Sequence, residues 1–221
     1  MQLVRERERI VAAARRLAGD GQVTGTAGNV SERAGSLVAV TPTGGALGSL
    51  TPEQVAVVDL DGEQVDGELR PTSELGLHLG VYRRYGAGAV VHTHPPYATT
   101  LSCVLDELPV IHYQLLALGG PVRVAPYATF GTDELAEATL DALEDRAAAL
   151  MASHGAIAHG PDLDTAMAQS TLLEWGCALY WRAAAIGTPR ALDREQRMAV
   201  VSAVIERGYG TTQARAGSAN R

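Results

Sequence analysis

A single-domain α/β fold is what the sequence predicts, on three observations. Helix-like and strand-like patterns alternate from end to end, neither a linker nor an internal repeat interrupts them, and 221 residues, 46% hydrophobic and 19% charged, can bury one core of ordinary size. An Asp61-Gly62 hairpin signal, with strand and helix units of unequal length, favours a mixed or antiparallel sheet over a doubly wound one.

The elements follow in order. Leu3, Ile10, Val11, Ala14 and Leu17 recur at roughly helical spacing among Arg and Glu residues, which predicts an amphipathic helix over 3–18 that Gly19-Asp20-Gly21 stops. Short β-like runs predict strands over 37–41 and 55–60, and Asp61-Gly62 turns the chain after the second. A helix is predicted over 73–85, a strand over 89–93, and a further helix after Pro95-Pro96. Strands over 122–125 and 148–153 flank a helix over 132–144 capped by Thr132. Helices over about 163–186 and 191–207 complete a domain of residues 1–207, and the Gly, Thr, Ser and Asn content of 208–221 predicts a mobile tail.

Composition removes several function classes. With 18 basic against 25 acidic side chains and a formal net charge of −7, the chain lacks the footprint of a general nucleic-acid binder. All 18 basic side chains are arginine. Schiff-base and pyridoxal chemistry and a Walker-type phosphate loop all need lysine, so carbonyl or carbanion chemistry here requires a metal. No run approaches the ~18 apolar residues of a membrane span, and the charged opening MQLVRERERI differs from a secretory signal, so a cytoplasmic location is expected. Cys103 and Cys177 lie in apolar, helix-like stretches without CxxC spacing and are expected to be buried free thiols.

The segment Val90-Val91-His92-Thr93-His94-Pro95 carries the strongest chemical signal. Residues two apart on a strand share a face, so both imidazoles can reach one ion at the strand's C-terminal end. Sixty residues on, Ala149-Leu150-Met151-Ala152-Ser153-His154-Gly155 again ends an apolar run in histidine. Three histidines around zinc leave a fourth position free, the mark of a catalytic rather than a structural site. His78, inside an amphipathic helix, and His159, in an expected turn, read as surface or structural residues, and His112 is less persuasive as a ligand. Glu74 sits just inside the helix predicted to start at Ser73. Its carboxylate either complements the helix dipole or belongs to the site.

Three segments combine glycine with small hydroxyl or amide residues: Thr24-Gly25-Thr26-Ala27-Gly28-Asn29, Thr41-Pro42-Thr43-Gly44-Gly45 and Pro71-Thr72-Ser73. Backbone N–H groups and hydroxyls in such turns can bind phosphate without lysine.

Together, Gly25 to Ser31, Thr41-Pro42-Thr43-Gly44, Pro71-Thr72-Ser73-Glu74, His92-Thr93-His94-Pro95 and Ser153-His154-Gly155 resemble, in order and spacing, the class II aldolase/adducin family. Ile111-His112-Tyr113 and Tyr127 to Thr132 look most like its L-fuculose-1-phosphate aldolase branch, and the likeness runs from about residue 3 to 209. The resemblance implies a three-layer α/β/α domain around a mainly antiparallel sheet, assembled as a homotetramer with sites between subunits. It further implies that His92, His94 and His154 hold one Zn²⁺ per subunit, with Glu74 ligating the resting metal and then acting as base. Gly28, Asn29, Thr43, Gly44, Thr72 and Ser73 match the phosphate-binding positions, and Thr26 lies in the same loop. Threonine at 43 and 72 stands where relatives often have serine. Tyr113 of a neighbouring subunit would be the acid, and Tyr209 a lid residue.

The implied reaction is reversible cleavage of a ketose 1-phosphate, L-fuculose 1-phosphate above all, to dihydroxyacetone phosphate and an aldehyde such as L-lactaldehyde. Epimerases of L-ribulose 5-phosphate in the same family typically carry Asp where Glu74 stands. Related sugar-phosphate dehydratases and decarboxylases use similar zinc ligands, and adducin heads share the fold as binding modules. No membrane partner is expected.

Overall fold

The computed structural model describes residues 1–209, so the tail expected over 208–221 lies, except for Gly208 and Tyr209, outside the described residues. Six helices are described: α1 (Val4–Gly19), α2 (Leu75–Tyr85), α3 (Pro96–Ser102), α4 (Asp133–Ala142), α5 (Leu163–Ile186) and α6 (Arg194–Arg207). Nine strands accompany them: β1 (Asn29–Ala34), β2 (Leu37–Val40), β3 (Ala56–Asp59), β4 (Gln64–Asp66), β5 (Ala89–Thr93), β6 (Glu107–Leu108), β7 (Val122–Ala125), β8 (Ala148–Met151) and β9 (Gly155–Gly160).

The strands form one open sheet in the order β4-β3-β2-β1-β5-β9-β8-β7-β6. Only β7 and β8 run parallel; every other described neighbouring pair is antiparallel. The α/β class and the mixed sheet expected from the sequence are therefore what forms, and the Asp61-Gly62 turn joins β3 to β4 as a hairpin. Helices α2 and α4 cover one face through Leu77, Val81, Leu135 and Leu140. On the other face α1 packs Ile10, Ala14 and Leu17 against Val30, Val57 and Val91, and α3 and α5 cover β8 and β9. Each such fully buried Leu, Ile or Val contributes about 1.5–3 kcal/mol. Among the described residues no helix is long and apolar enough to cross a membrane.

Strand alternation decides which residues reach the site. Val90 packs toward α2 and α4 while Ala89 and Val91 pack toward α1, so His92 points to the α2 side with Val90. On β1 the same period sends Val30 to the α1 side and brings Ser31 against α2. Asn29 pairs directly with His92 across the β1–β5 ladder.

Several expectations are corrected. Of the segment 24–29 read as a glycine loop only Asn29 enters a strand; β1, β6 and β9 were not anticipated, and β4 only as the far side of the Asp61-Gly62 hairpin. The strand expected to run to Ser153 stops at Met151, because Ser153 adopts φ 52° and turns the chain into β9. The last helix starts at Arg194 rather than 191, since Asp193 and Gln196 form a capping box that fixes its start. Cys103 is exposed, because α3 ends one residue before it; Cys177 is buried as expected. His159 lies on β9 rather than in a turn, stacked on Tyr85 with Nε2 3.0 Å from the Arg146 carbonyl oxygen. His78 is fully buried, which leaves the structural one of its two expected roles.

Candidate active site

The end of β5, the turn between β8 and β9, and the start of α2 meet at one point. His92 is fully buried, and its Nδ1 donates to the Ala156 carbonyl oxygen at 2.9 Å. That bond fixes the tautomer and turns the lone pair of Nε2 inward. The Nε2 of His94 stands 2.9 Å from it, and ligand nitrogens of His92, His94 and His154 all lie within 4.8 Å of one another. Gly155 lets the His154 turn close on β5: a Cβ there would stand 2.4 Å from the Thr93 carbonyl oxygen.

Glu74 is the N-cap residue of α2, one position outside the helix, yet its side chain makes no capping hydrogen bond. The dipole-complementing reading therefore gives way to a site role. The carboxylate points into the cluster, with Oε2 3.2 Å from His92 Nε2 and Oε1 3.5 Å from His154 Nε2. Oε2 also accepts from the Asn29 amide at 2.8 Å, whereas Oε1 is buried with no hydrogen-bond partner among the described residues.

Electrostatics match this geometry. Burial pushes the Glu74 carboxyl up, but the charge of His92, its hydrogen bond, the Asn29 amide and His154 outweigh it and hold the group well below the usual carboxylate range. Burial opposes charge on His92 as well, and there the facing carboxylate prevails and raises the ring. His94 is pushed down to about 3 by burial and its two histidine neighbours, and His154 is lowered by burial and by His92. At neutral pH the cluster thus offers an ionised carboxylate, neutral rings at His94 and His154, and a His92 ring that the carboxylate biases toward its protonated form. Two facing ring nitrogens and an orphaned buried carboxylate oxygen fit a shared divalent cation, which would satisfy all of them at once.

A cleft of about 540 Å³ opens over the cluster. Thr26, Gly28, Asn29, Thr43, Gly44, Thr72 and Ser73, all seven candidate phosphate residues, line it beside Glu74, His94 and His154, and no described lining residue is Arg or Lys. Two of its loops are tied by an antiparallel bridge between Pro42 and Pro71. Since the N–H of Thr43 is taken by Arg70 O and that of Thr72 by Thr41 O, these threonines offer hydroxyls to the cleft rather than amides. Gly28 adopts φ 86°, and a Cβ on it would meet Val23 Cγ1 at 2.7 Å. Tyr127 and Phe130, mostly exposed, form the apolar rim.

Tyr113 is not brought to this cleft by its own chain. It opens a 3₁₀ turn over Tyr113–Leu118, and its hydroxyl lies 2.8 Å from that of Tyr209 beside an apolar groove lined by Leu116, Val201 and Ile205. His112 caps that turn and accepts from the Gln114 N–H at 3.3 Å. Two features escaped sequence reading: the bond from Asn29 to Glu74, and the buried His78 behind it. The His at one helical turn from Glu74 was the available signal.

A family model of the class II aldolase and adducin N-terminal domain matches residues 8–181. The chain belongs to the class II aldolase and adducin family. Its relatives include the 5-deoxy-D-ribulose 1-phosphate aldolase of Bacillus thuringiensis, 42% identical over 200 residues, 89% of this chain and 93% of that one. The L-fuculose phosphate aldolase of Escherichia coli K12 is 39% identical over 179 residues, 80% and 83% of the two chains. The 5-methylthioribulose-1-phosphate/5-deoxyribulose-1-phosphate aldolase of Rhodospirillum rubrum is 38% identical over 192 residues, 86% of each. Among solved structures, an L-fuculose 1-phosphate aldolase superposes with TM-score 0.87 at 32% identity, covering 90% of this chain and 96% of that one. As a class II aldolase the chain is a lyase of a metal-dependent family, and His92, His94 and His154 could hold the metal.

Proposed function

We propose that the chain cleaves a ketose 1-phosphate between C3 and C4, releasing dihydroxyacetone phosphate and a short aldehyde, with Zn²⁺ held by His92, His94, His154 and, at rest, Glu74. The observation that carries this reading is the buried Oε1 of Glu74, without a hydrogen-bond partner among the described residues, beside three imidazoles at the floor of a cleft walled by glycines and neutral hydroxyl and amide groups. A divalent ion there supplies Lewis-acid stabilisation of the negative charge that develops on the dihydroxyacetone-phosphate half, the role a lysine imine plays in other aldolases.

The protein's own groups account for the remainder. The loops at Gly28, Gly44 and Ser73, with the hydroxyls of Thr26, Thr43 and Thr72, bind the phosphate and fix C3 beside Glu74. When the C3–C4 bond breaks its electrons stay on C3, the C4 hydroxyl proton passes to the group that serves the aldehyde oxygen, and Glu74, protonated in turn by exchange with that group or with solvent, delivers a proton from Oε1 to C3, so that one proton is lost at O4 and one gained at C3. In synthesis the same oxygen removes it. Tyr113 of a neighbouring subunit serves the aldehyde oxygen in this proposal, which includes a homotetramer. The position of Tyr113 and Tyr209 outside their own chain's cleft supports that, as does the exposure of Met198, Val201 and Ile205 on α6.

The substrate proposed is a deoxy sugar with a methyl-terminated aldehyde half, which the Tyr127 and Phe130 rim suits. L-Fuculose 1-phosphate meets this description. The 42% identity to a 5-deoxy-D-ribulose 1-phosphate aldolase favours 5-deoxyribulose 1-phosphate as a second reading. Cleavage of both sugars, L-rhamnulose 1-phosphate and L-ribulose 5-phosphate, followed by enzymatic detection of dihydroxyacetone phosphate before and after chelation, tests it. Release from a deoxyketose 1-phosphate, lost on chelation and restored by zinc, is expected. Epimerisation of L-ribulose 5-phosphate without such release would overturn it in favour of an epimerase, and inactivity of zinc-loaded protein on all four would leave the adducin-like binding module.

A further inference from the structure

Behind Glu74 lies a buried chain of polar groups that the reaction above does not use. Tyr82 OH is 2.5 Å from Ser31 Oγ, which is 2.6 Å from His78 Nδ1. His78 Nε2 reaches Asn29 Oδ1, and Asn29 Nδ2 reaches Glu74 Oε2. His78, Ser31 and Tyr82 are at most 1% exposed, and none of the three lines the cleft over the cluster.

One charge sets the direction of every bond. An ionised Glu74 oxygen accepts only, so Asn29 must present its NH₂ to Oε2 and its carbonyl oxygen to His78. His78 must then donate from Nε2, which leaves Nδ1 as an acceptor. The Ser31 hydroxyl donates to Nδ1 and its oxygen accepts from Tyr82. Every group is satisfied in this arrangement alone, and burial, which holds the His78 ring neutral at about 3, is compatible with it. The two oxygens of Glu74 are thereby made different. Both face the histidines, Oε2 3.2 Å from His92 Nε2 and Oε1 3.5 Å from His154 Nε2, but Oε2 is held by the Asn29 amide while Oε1 has no hydrogen-bond partner among the described residues.

We propose that His78 is a positioning residue for Glu74: through its Nε2–H it locks the Asn29 amide against Oε2, and so assigns proton transfer to Oε1. This rests on the aldolase reading only for the identity of the transferred proton. The lock also couples the phosphate loop to the base, because Asn29 lines the cleft next to Gly28.

The test has a structural and a kinetic arm. In the zinc-loaded protein, ¹⁵N NMR of the imidazoles should show His78 as a neutral Nε2–H tautomer at pH 7, and the Asn29 side-chain amide should lose its shifted, exchange-protected resonance in His78→Leu. In the kinetic arm, exchange of the C3 proton of dihydroxyacetone phosphate should slow in His78→Leu by about 10–100-fold, with zinc content unchanged and KM within about threefold. His78→Gln, which keeps an N–H donor, should recover about tenfold of that loss. If His78→Leu does not fold, Ser31→Ala serves: loss of the Nδ1 partner should mix the tautomers and slow exchange by a smaller factor. An Nδ1–H or imidazolium His78 in the parent, or a folded His78→Leu with unchanged exchange, overturns the proposal. If the parent itself exchanged no proton the aldolase reading would fail, while the tautomer and the Asn29 resonance would still decide the lock.

Discussion

A carboxylate that is to move a proton must be ionised, within reach of the carbon acid, and not fully engaged with other donors. Glu74 meets these conditions because its helix begins one residue later, leaving the side chain free to turn into the cluster rather than cap α2. General acid–base groups contribute typically 10²–10⁴-fold. Glu74→Gln is therefore expected to fold normally while slowing C3 proton exchange by roughly that factor, as proton NMR in deuterium oxide would measure on zinc-verified protein. The residues proposed to bind phosphate should behave differently, since in that role they hold substrate and transition state alike: Thr43→Ala and Ser73→Ala should raise KM for a ketose 1-phosphate about tenfold with smaller effects on kcat, which steady-state kinetics would reveal. At this scale the sequence told much. His92, His94 and His154 were legible because a two-residue strand period and a glycine-flanked histidine are local patterns. The second role of Asn29 was not legible, since its partners Glu74 and His78 are 45 and 49 residues away and only the β1–α2 packing joins them.

At the scale of elements, the turn between β8 and β9 carries the proposed ligand His154 on a backbone that tolerates no extra atom. Gly155→Ala should force the His154 turn away from Thr93, costing on the order of 2–4 kcal/mol of stability and weakening metal binding, to be read by urea unfolding and by competition with a chelator. The packing of α2 on β1 predicts a pH response. His78 titrates near 6.5 unfolded and at about 3 folded, chiefly through burial. A lowered folded pKa gives stability that is complete above 6.5 and is lost as pH falls toward 3. Between pH 7.5 and pH 5 this one group should cost the parent about 2 kcal/mol, and the same interval should cost His78→Leu correspondingly less. Helix α5 was readable to the residue and α1 to within one residue at each end. Strands β4, β6 and β9 were not: two are only two or three residues long, and β9 is a run of Gly, Ala, Ile and His that has no alternation because it is covered on both faces.

For the whole molecule, class and sheet type followed from the order of elements, but strand order did not, since it depends on pairings between distant segments. The metal cluster draws on three of those segments. Zinc at about 100 times its dissociation constant adds roughly 2.7 kcal/mol to the folded state, so chelation should lower the melting temperature by about 5–10 °C, as calorimetry with and without added zinc would record. The central position of β5 has one more consequence, for biogenesis. Ala89–Thr93 can pair with β1 as soon as both have emerged, but its other edge waits for Gly155–Gly160, more than 60 residues later in synthesis. Until then a nascent chain presents the unpaired backbone of an apolar strand to its neighbours on a crowded polysome. The strand that carries His92 and leads directly into His94 is the one most in need of shelter while the protein is being made.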